Sequence, residues 1–297
     1  MGNMGSLTGV YMVMATPFKK DGAIDYDGFG RNLDHYASVK VDGVMVAGAL
    51  GEYLSMSPEE RKALVEFAAD RLAGRLPFMV GATAHRTGQV IDLCHHAREQ
   101  GSAGVMILPP PGLGLLDDEI YAYYREVAEN VRLPIMLYNN PGSSGMDMEF
   151  DLVKKLADLP NVCCIKEASG DIKRVARIRQ ELREDFEVFG GWEDMHYESF
   201  CAGARGWVCM GANYAPGLTK DIFDLFTTGD FKKAGELSKL YNPLARHMEN
   251  AGKVSQTTKY IMDAVGLAGG FVRAPKQGLT ADEMTAIDAL LKNIKLY

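Results

Sequence analysis

Several features that define whole classes of protein are absent from this 297-residue sequence. No apolar run reaches the roughly 18 residues that a membrane-spanning helix needs. No block of lysines and arginines stands out, and the formal net charge is −7, which argues against a nucleic-acid partner. No charged region precedes the apolar part of the N-terminus, so it does not resemble a secretory signal peptide. We therefore expect neither membrane nor nucleic acid among the partners.

Signals for disulfide bonds and metal sites are also few. The five cysteines are odd in number and form no CxxC pair, so they predict free thiols in a reducing cytoplasm. The acids and histidines that follow predicted strands lack the H-x-x-x-H spacing of a helical zinc site, and we predict no metal site. The candidates considered are Glu52, His85, Glu193, Asp194 and His196.

The sequence does contain a regular alternation of strand and helix patterns. Eight short apolar runs alternate with amphipathic segments, which predicts a (β/α)8 TIM barrel. The runs lie at residues 9–18, 43–52, 77–84, 104–110, 134–141, 162–169, 186–193 and 206–214. An open doubly wound sheet is the alternative, although the first strand–helix turn carries no GxGxxG motif for a dinucleotide.

Capping boxes mark the starts of two helices. The segment Ser57-Pro58-Glu59-Glu60 places a capping serine, a first-turn proline and a capping glutamate in order. Thr280 to Glu283 repeats the capping box near the C-terminus. After about residue 225 only helical patterns remain. We therefore predict a barrel over residues 1–225 and a C-terminal helical extension over residues 226–297.

Lys166 is the most informative polar residue, because it follows an apolar run directly. The chemistry of such barrels lies at the C-terminal ends of the strands. A lysine is rarely buried unless it is paired or used. Burial lowers the pKa of a lysine and thus supplies the neutral amine that condenses with a ketone to form a Schiff base. The alternative is a lysine whose charged end reaches solvent.

Tyr138 ends the preceding apolar run, so parallel pairing places it at the same mouth of the barrel as Lys166. A phenol near a lysine can carry the protons that imine formation and hydrolysis require. The alternative is a buried tyrosine whose hydroxyl makes only a structural hydrogen bond.

Two further groups of residues are candidates for substrate binding. In the turn GALGE, Ala49 and Leu50 lie between glycines, and the amides of such a turn can bind a carboxylate, although a tight turn needs glycines in any case. Gly191 and Val208 belong to the seventh and eighth runs. A glycine there marks a phosphate site or gives room for a substrate beside the backbone.

From TPFKKDGAIDYDGF through GALGE and YNNPGSSG to IKEASGD, nearly the whole chain resembles a known family. It is the dihydrodipicolinate synthase / N-acetylneuraminate lyase family of class I, Schiff-base-forming lyases. The resemblance implies a homo-oligomeric barrel, a dimer or tetramer, without metal or organic cofactor. It also implies that Lys166 forms the imine, that Tyr138 is the catalytic tyrosine, and that the turn with Ala49 and Leu50 binds the carboxylate of a pyruvate-type 2-oxo acid.

The chain departs from the family's pattern at two places. The turn usually reads Gly-(Thr/Ser)-Thr-Gly-Glu, so Ala49 and Leu50 replace two hydroxyls, including one that relays protons in many members. In the synthase branch an arginine after the tyrosine motif holds the second substrate's carboxylate, whereas Ser143 stands at the matching position. A charge-assisted hydrogen bond from such an arginine is worth about 1.5–3 kcal/mol. Both departures argue against a lysine-pathway synthase.

We therefore predict a class I lyase that acts on a 2-oxo acid through an imine on Lys166, by aldol cleavage or condensation or by dehydration. The alternative enzyme is 4-hydroxy-tetrahydrodipicolinate (dihydrodipicolinate) synthase. A non-catalytic barrel that binds a 2-oxo acid is the alternative of another class. His85 is either a replacement acid or base, or an exposed loop histidine. The apolar residues Leu113 to Leu116 indicate a subunit interface or a less charged substrate tail.

Overall fold

The computed structural model describes residues 7–39 and 41–294, with eight parallel strands closed into a barrel in sequence order. Each strand lies within one of the eight apolar runs, so the predicted (β/α)8 barrel is confirmed and the open sheet is wrong. The strands are β1 (Gly9–Val13), β2 (Gly43–Val46), β3 (Phe78–Gly81), β4 (Val105–Ile107), β5 (Ile135–Asn139), β6 (Val162–Glu167), β7 (Glu187–Gly190) and β8 (Gly206–Cys209). Residues 1–6 of the N-terminal stretch lie outside the described residues.

The strands are mostly apolar because both of their faces are buried. Every residue of β1 and of β5 is buried. In a barrel of this kind, helices cover the outside and side chains fill the inside, so alternation of apolar and polar residues is not expected. Strand β6 points to function, since its last two residues, Lys166 and Glu167, carry ionisable groups and are still buried.

Helices follow the strands, and the capping signals read from the sequence are present. The Glu60 amide donates to Ser57 Oγ (3.2 Å), and the Ser57 amide donates to the Glu60 carboxylate (3.0 Å). The second capping box, at Thr280 and Glu283, has the same two hydrogen bonds. The helices that accompany the strands are α1 (Tyr26–Ser38), α2 (Pro58–Leu72), α3 (Thr87–Glu99), α4 (Asp117–Asn130), α5 (Pro141–Ser144), α6 (Phe150–Ala157), α7 (Ile172–Glu181) and α8 (His196–Cys201).

After β8 the described chain contains four further α-helices and an isolated β-bridge at Phe271. The helices are α9 (Pro216–Thr227), α10 (Phe231–Asn250), α11 (Val254–Ala264) and α12 (Ala281–Ile294). The predicted boundary after residue 225 falls within α9, and the division into a barrel and an extension stays a prediction. No helix in residues 7–39 or 41–294 is long and apolar enough to cross a membrane.

The chain groups into two compact units. One unit contains Pro77–Val208 and residues 7–9, and it includes Lys166 and Tyr138. The other contains the described residues of Val10–Leu76 and residues 209–294, and it includes the turn with Ala49 and Leu50.

Candidate active site

The pairing of β5 with β6 places Tyr138 directly opposite Lys166. A β-bulge sets this register, because Cys163 on β6 is skipped between two successive pairs. Without that extra residue, the pairing would bring Ile165 opposite Tyr138. Since consecutive side chains on a strand alternate between its two faces, the bulge decides that the lysine and the tyrosine share one face.

Lys166 and Tyr138 are in direct contact. The Nζ atom of Lys166 lies 4.3 Å from the centroid of the Tyr138 ring. Only 5% of the lysine and 6% of the tyrosine is exposed, so the alternative in which Lys166 extends into solvent is wrong. An ammonium group over an aromatic ring is attracted by the electron density of the ring face. The Tyr138 ring therefore makes a favourable contact with the desolvated lysine side chain near the mouth of the barrel.

The hydroxyl of Tyr138 is oriented by its neighbour Asn140. The Asn140 side-chain amide donates a hydrogen bond to the Tyr138 hydroxyl oxygen (2.8 Å). A hydroxyl that accepts one hydrogen bond keeps its own proton for another acceptor. The Asn140 side chain also caps the short helix α5, accepting from the Ser143 amide (3.0 Å). The tyrosine hydroxyl is therefore held in an orientation from which it can donate a proton.

Glu167 is a buried carboxyl group next to the lysine, and it pairs in register with Asn139 on β5. The Asn139 amide donates to its two oxygens (3.1 and 3.4 Å), and the Ser169 main-chain N–H donates to one of them (2.7 Å). Burial raises the pKa of Glu167, and these hydrogen bonds oppose the rise. Glu167 thus fastens β6 to β5 immediately beyond Lys166. The sequence shows the acid beside the lysine but not its partner.

Asn139 is the centre of a polar network that the sequence patterns did not predict. Its amide nitrogen also donates to Asp147 (2.9 Å), and its amide oxygen accepts from the Met148 main-chain N–H (3.0 Å). Arg174 donates to both Asp147 oxygens (2.7 Å each), a bidentate pair of the strong, charge-assisted kind. The only local signal for this network is an asparagine in a position where the other strand residues are apolar.

Gly191 lies against the lysine. Its N–H donates to the Glu167 carbonyl (2.9 Å). A Cβ atom added at Gly191 would lie 2.8 Å from Lys166 Cγ, from the Glu167 carbonyl oxygen and from Ala168 Cβ, which is closer than real contacts allow. The glycine is therefore required by the close approach of Lys166. Val208 is a fully buried residue of β8, and the substrate-binding roles of Gly191 and Val208 stay predictions.

In the second unit, the predicted carboxylate-binding turn is closed by a hydrogen bond from the Glu52 N–H to the Ala49 carbonyl (3.0 Å). Ala49 is exposed and Leu50 is buried. Glu52 is buried too and forms an ion pair with Lys259 of α11 (2.5 Å). In the sequence Glu52 is a candidate only as a metal ligand, and no local pattern indicates Lys259, which is 207 residues further along the chain.

The other residues singled out in the sequence lie partly on the surface and partly in the core. His85 is exposed, as the loop interpretation predicts, and Ser143 is exposed on α5. His196 is buried in the first unit, where its ring stacks on Trp207 with centroids 4.6 Å apart. Burial lowers its pKa to about 4, which identifies a neutral core histidine. Among the described residues, no three histidines, cysteines or acids are grouped so that they could hold a metal ion.

A family model described as the dihydrodipicolinate synthetase family matches residues 6–294. The chain belongs to this family. The match spans nearly the whole chain, so the resemblance inferred from GALGE, YNNP and IKEASGD is confirmed. The predicted enzyme class, a Schiff-base-forming lyase, is confirmed with it.

Individual members of the family show the same relationship over whole chains. The 4-hydroxy-tetrahydrodipicolinate synthase of Archaeoglobus fulgidus is 31% identical over 97% of this chain and 98% of its own. That of Methanothrix thermoacetophila is 34% identical over 90% of each chain. The structure of YagE, a prophage protein of the dihydrodipicolinic acid synthase family from E. coli K12 in complex with pyruvate, has a TM-score of 0.93. It is 26% identical and matches over 99% of this chain and 100% of its own.

Proposed function

We propose that this lyase forms an imine between Lys166 and the 2-oxo group of pyruvate or a pyruvate-type acid. The observation that carries the proposal is the buried contact between Lys166 Nζ and the Tyr138 ring, 4.3 Å from its centroid. A second support is the E. coli K12 relative, which is described in complex with pyruvate. Lys166 attacks the carbonyl carbon in its unprotonated form, after its ammonium group has given up a proton, and loss of water from the carbinolamine gives the imine.

Tyr138 moves protons in this sequence of steps. Its hydroxyl protonates the carbinolamine oxygen, which leaves as water, and later takes a proton back when the imine is hydrolysed. The Asn140 amide at 2.8 Å keeps the hydroxyl oriented for this exchange. Once protonated, the imine withdraws electrons from the neighbouring carbon. Deprotonation of that carbon gives an enamine, which either adds to an aldehyde or expels a hydroxyl group from the next carbon in a dehydration. In aldol cleavage the C–C bond at that carbon breaks instead, which releases an aldehyde and leaves the enamine.

The substrate carboxylate is assigned to the main chain of Ala49 and Leu50. This assignment comes from the family resemblance of the turn, because neither residue supplies a polar side chain. The absence of one neutral hydrogen bond costs only about 0.5–1.5 kcal/mol, so main-chain amides alone can still hold a carboxylate. Gly191 and Val208 are proposed to complete the substrate-binding surface.

We propose further that the second substrate lacks the carboxylate that the synthase arginine holds. Ser143 stands at the arginine's position and is exposed on α5, and a serine hydroxyl cannot replace a bidentate guanidinium. The second candidate function is 4-hydroxy-tetrahydrodipicolinate synthase itself. It is favoured by the names of the relatives from Archaeoglobus fulgidus and Methanothrix thermoacetophila.

Borohydride trapping tests the imine. The protein is incubated with pyruvate and sodium borohydride, digested, and analysed by peptide mass spectrometry, with Lys166→Met as the control. We expect a reduced pyruvate adduct on Lys166 in the wild type and none on that peptide in the variant. An adduct on another lysine, or none while a known family member is labelled in parallel, contradicts the proposal.

A substrate panel then tests the second substrate. Pyruvate consumption is measured with aspartate semialdehyde and with uncharged aldehydes of similar length, and pyruvate release is measured from longer 2-oxo acids. We expect a higher kcat/KM for the uncharged partners. A preference for aspartate semialdehyde identifies the synthase instead. Trapping on Lys166 without turnover of any panel member identifies a non-catalytic binding barrel.

We propose that the protein works as a homo-oligomer, a dimer or tetramer, in a reducing cytoplasm. The oligomer is supported by large apolar side chains with half or more of their surface exposed, which in the described chain include Leu54, Leu113, Leu116, Phe231 and Phe271. The compartment is supported by five free cysteines. Sedimentation of the purified protein measures the oligomer, and a monomer at micromolar concentration contradicts it.

A further inference from the structure

The turn that we assign to the substrate carboxylate is held in an unusual backbone conformation. Ala47 and Glu52, on either side of it, are non-glycine residues in the left-handed region, with φ of 56° and 63°. Such residues persist only where the surrounding structure holds them, and they cluster at functional sites. The Glu52 N–H also closes the turn onto the Ala49 carbonyl (3.0 Å). The conformation of Glu52 is therefore linked directly to that of Ala49 and Leu50.

The side chain of Glu52 is buried among groups from the C-terminal part of the chain. Lys259 Nζ lies 2.5 Å from one carboxylate oxygen. The Arg273 main-chain N–H donates to the other oxygen (3.3 Å), and Lys276 Nζ lies 3.8 Å from it. Only 4% of Glu52 is exposed. A buried carboxylate is costly unless it is paired and hydrogen-bonded, so these contacts hold Glu52 where it is.

Lys259 is the most completely buried of these groups, with 2% of its surface exposed. Besides pairing with Glu52, it donates to the Phe271 carbonyl (2.6 Å), and its Nζ lies 4.5 Å from the centroid of the Phe18 ring. Burial lowers its pKa to about 8 and Glu52 opposes this, so the side chain is still protonated at neutral pH. Lys259 thus connects the turn to two other segments of the same unit.

We propose that Lys259 is a positioning residue for binding of the 2-oxo acid. Through Glu52 it holds the turn in the conformation that binds the substrate carboxylate, and it does not itself touch the substrate. Because Ala49 and Leu50 supply no hydroxyls, the carboxylate depends on main-chain groups, whose orientation only the backbone conformation can set. The assignment of the turn to the carboxylate belongs to the proposed function, so the role of Lys259 rests on that function as well.

The experiment compares two ketones that differ in the carboxylate. Lys259→Met removes the charge and keeps a long apolar side chain. The matched control is Lys253→Met, which breaks another lysine–glutamate pair at the start of the same helix (Lys253 Nζ to Glu283, 2.8 Å). The wild type and each variant are treated with borohydride and increasing pyruvate or acetone, and labelling of Lys166 is quantified by peptide mass spectrometry. Acetone has the ketone but no carboxylate.

We expect the pyruvate concentration for half-maximal labelling to rise at least about tenfold in Lys259→Met. The reason is that main-chain hydrogen bonds to the charged carboxylate would be misplaced, and such bonds are among the stronger ones. Labelling by acetone should change less than about twofold, because Lys166 itself is untouched. Lys253→Met should match the wild type with both ketones. If labelling by the two ketones falls together, Lys259 supports the fold in general and the proposal is wrong. It is equally wrong if neither changes.

A second variant covers the case in which Lys259→Met does not fold, which circular dichroism would reveal. Glu52→Gln keeps the shape of the side chain and removes only its charge, and it should raise the half-saturating pyruvate concentration with acetone labelling retained. An unchanged ratio of pyruvate to acetone labelling in this variant overturns the proposal. If pyruvate does not label Lys166 in the wild type, the proposed function fails. If the wild type is labelled normally but the ratio of pyruvate to acetone labelling does not change in the variants, only the positioning role of Lys259 is wrong.

Discussion

The Nζ atom of Lys166 lies 4.3 Å from the centre of the Tyr138 ring, on the strand next to it in the barrel. In this arrangement the ring and the hydroxyl group of Tyr138 have different roles. Its ring shields and attracts the lysine, whereas its hydroxyl, held by Asn140, is available for proton transfer. A substitution that removes one of these properties and keeps the other distinguishes their contributions.

Tyr138→Phe keeps the ring beside Lys166 and removes the hydroxyl. We expect kcat to fall by roughly 10²–10⁴, the usual contribution of a general acid or base. Borohydride labelling should still occur on Lys166, more slowly. The control is Tyr260→Phe, which loses only an exposed hydrogen bond to Asp288 (2.9 Å) and should leave kcat unchanged. An unchanged kcat in Tyr138→Phe would remove the tyrosine from proton transfer.

Gly191→Ala tests the close packing around the lysine. The new Cβ would lie 2.8 Å from Lys166 Cγ and from the Glu167 carbonyl oxygen, so the lysine side chain or the end of β6 must move. A displacement of the order of 1 Å at a reacting group costs roughly 10²-fold in rate. We therefore expect kcat/KM, measured by pyruvate turnover, to fall by about that factor.

The matched control for this change is Gly217→Ala, since a Cβ at Gly217 meets nothing within 4 Å. This variant should retain full activity. If Gly191→Ala also retains full activity with Lys166 labelled at the normal rate, the end of β6 tolerates more movement than the packing suggests.

Asn139→Ala tests the polar network that fastens β5 to β6. It removes one hydrogen bond from the buried Met148 N–H, one from the Asp147 carboxylate and two from the Glu167 carboxylate. A buried polar group that loses its partner costs about 1–3 kcal/mol, so we expect the free energy of unfolding to fall by about 3 kcal/mol in urea denaturation.

The control is Asn130→Ala, which removes an exposed hydrogen bond to the Glu126 carbonyl. Its effect should stay within about 0.5 kcal/mol, as for most surface substitutions. Equal effects of the two asparagine substitutions would mean that the network around β5 contributes no more to stability than a surface contact.

Because His196 is buried, we expect the free energy of unfolding to depend on pH. Its pKa is lowered from 6.5 to about 4 by burial. Between these values the unfolded chain binds a proton that the folded chain does not, so the free energy of unfolding rises with pH across this window. The shift corresponds to about 3 kcal/mol lost as the pH falls from about 7 to about 4.

The measurement is urea denaturation at a series of pH values for the wild type and for His196→Gln, which keeps an N–H donor for the Glu193 carbonyl (2.8 Å in the wild type). Other titrating groups are the same in both proteins, so the difference between their two curves reports the histidine. Parallel curves between pH 4 and pH 6.5 would show that His196 is protonated in the folded state.

Local patterns in the sequence were enough to predict the barrel, the starts of two capped helices, and the two residues proposed for the chemistry. Burial on both faces makes a strand uniformly apolar, and a capping box needs residues only three apart. Lys166 was detectable because an ionisable residue lies near the end of an apolar strand, and Tyr138 because it lies near the end of the strand before it.

Which side chains meet became visible only in the folded chain. The bulge at Cys163, and not the strand pattern, brings Lys166 rather than Ile165 opposite Tyr138. The pairing of Glu52 with Lys259 joins positions 207 residues apart. Hydrophobic periodicity indicates which face of an element is buried, but it does not specify the distant partner of a buried charge. That choice depends on how the folded elements pack, which is why the support of the turn emerged only from the three-dimensional arrangement.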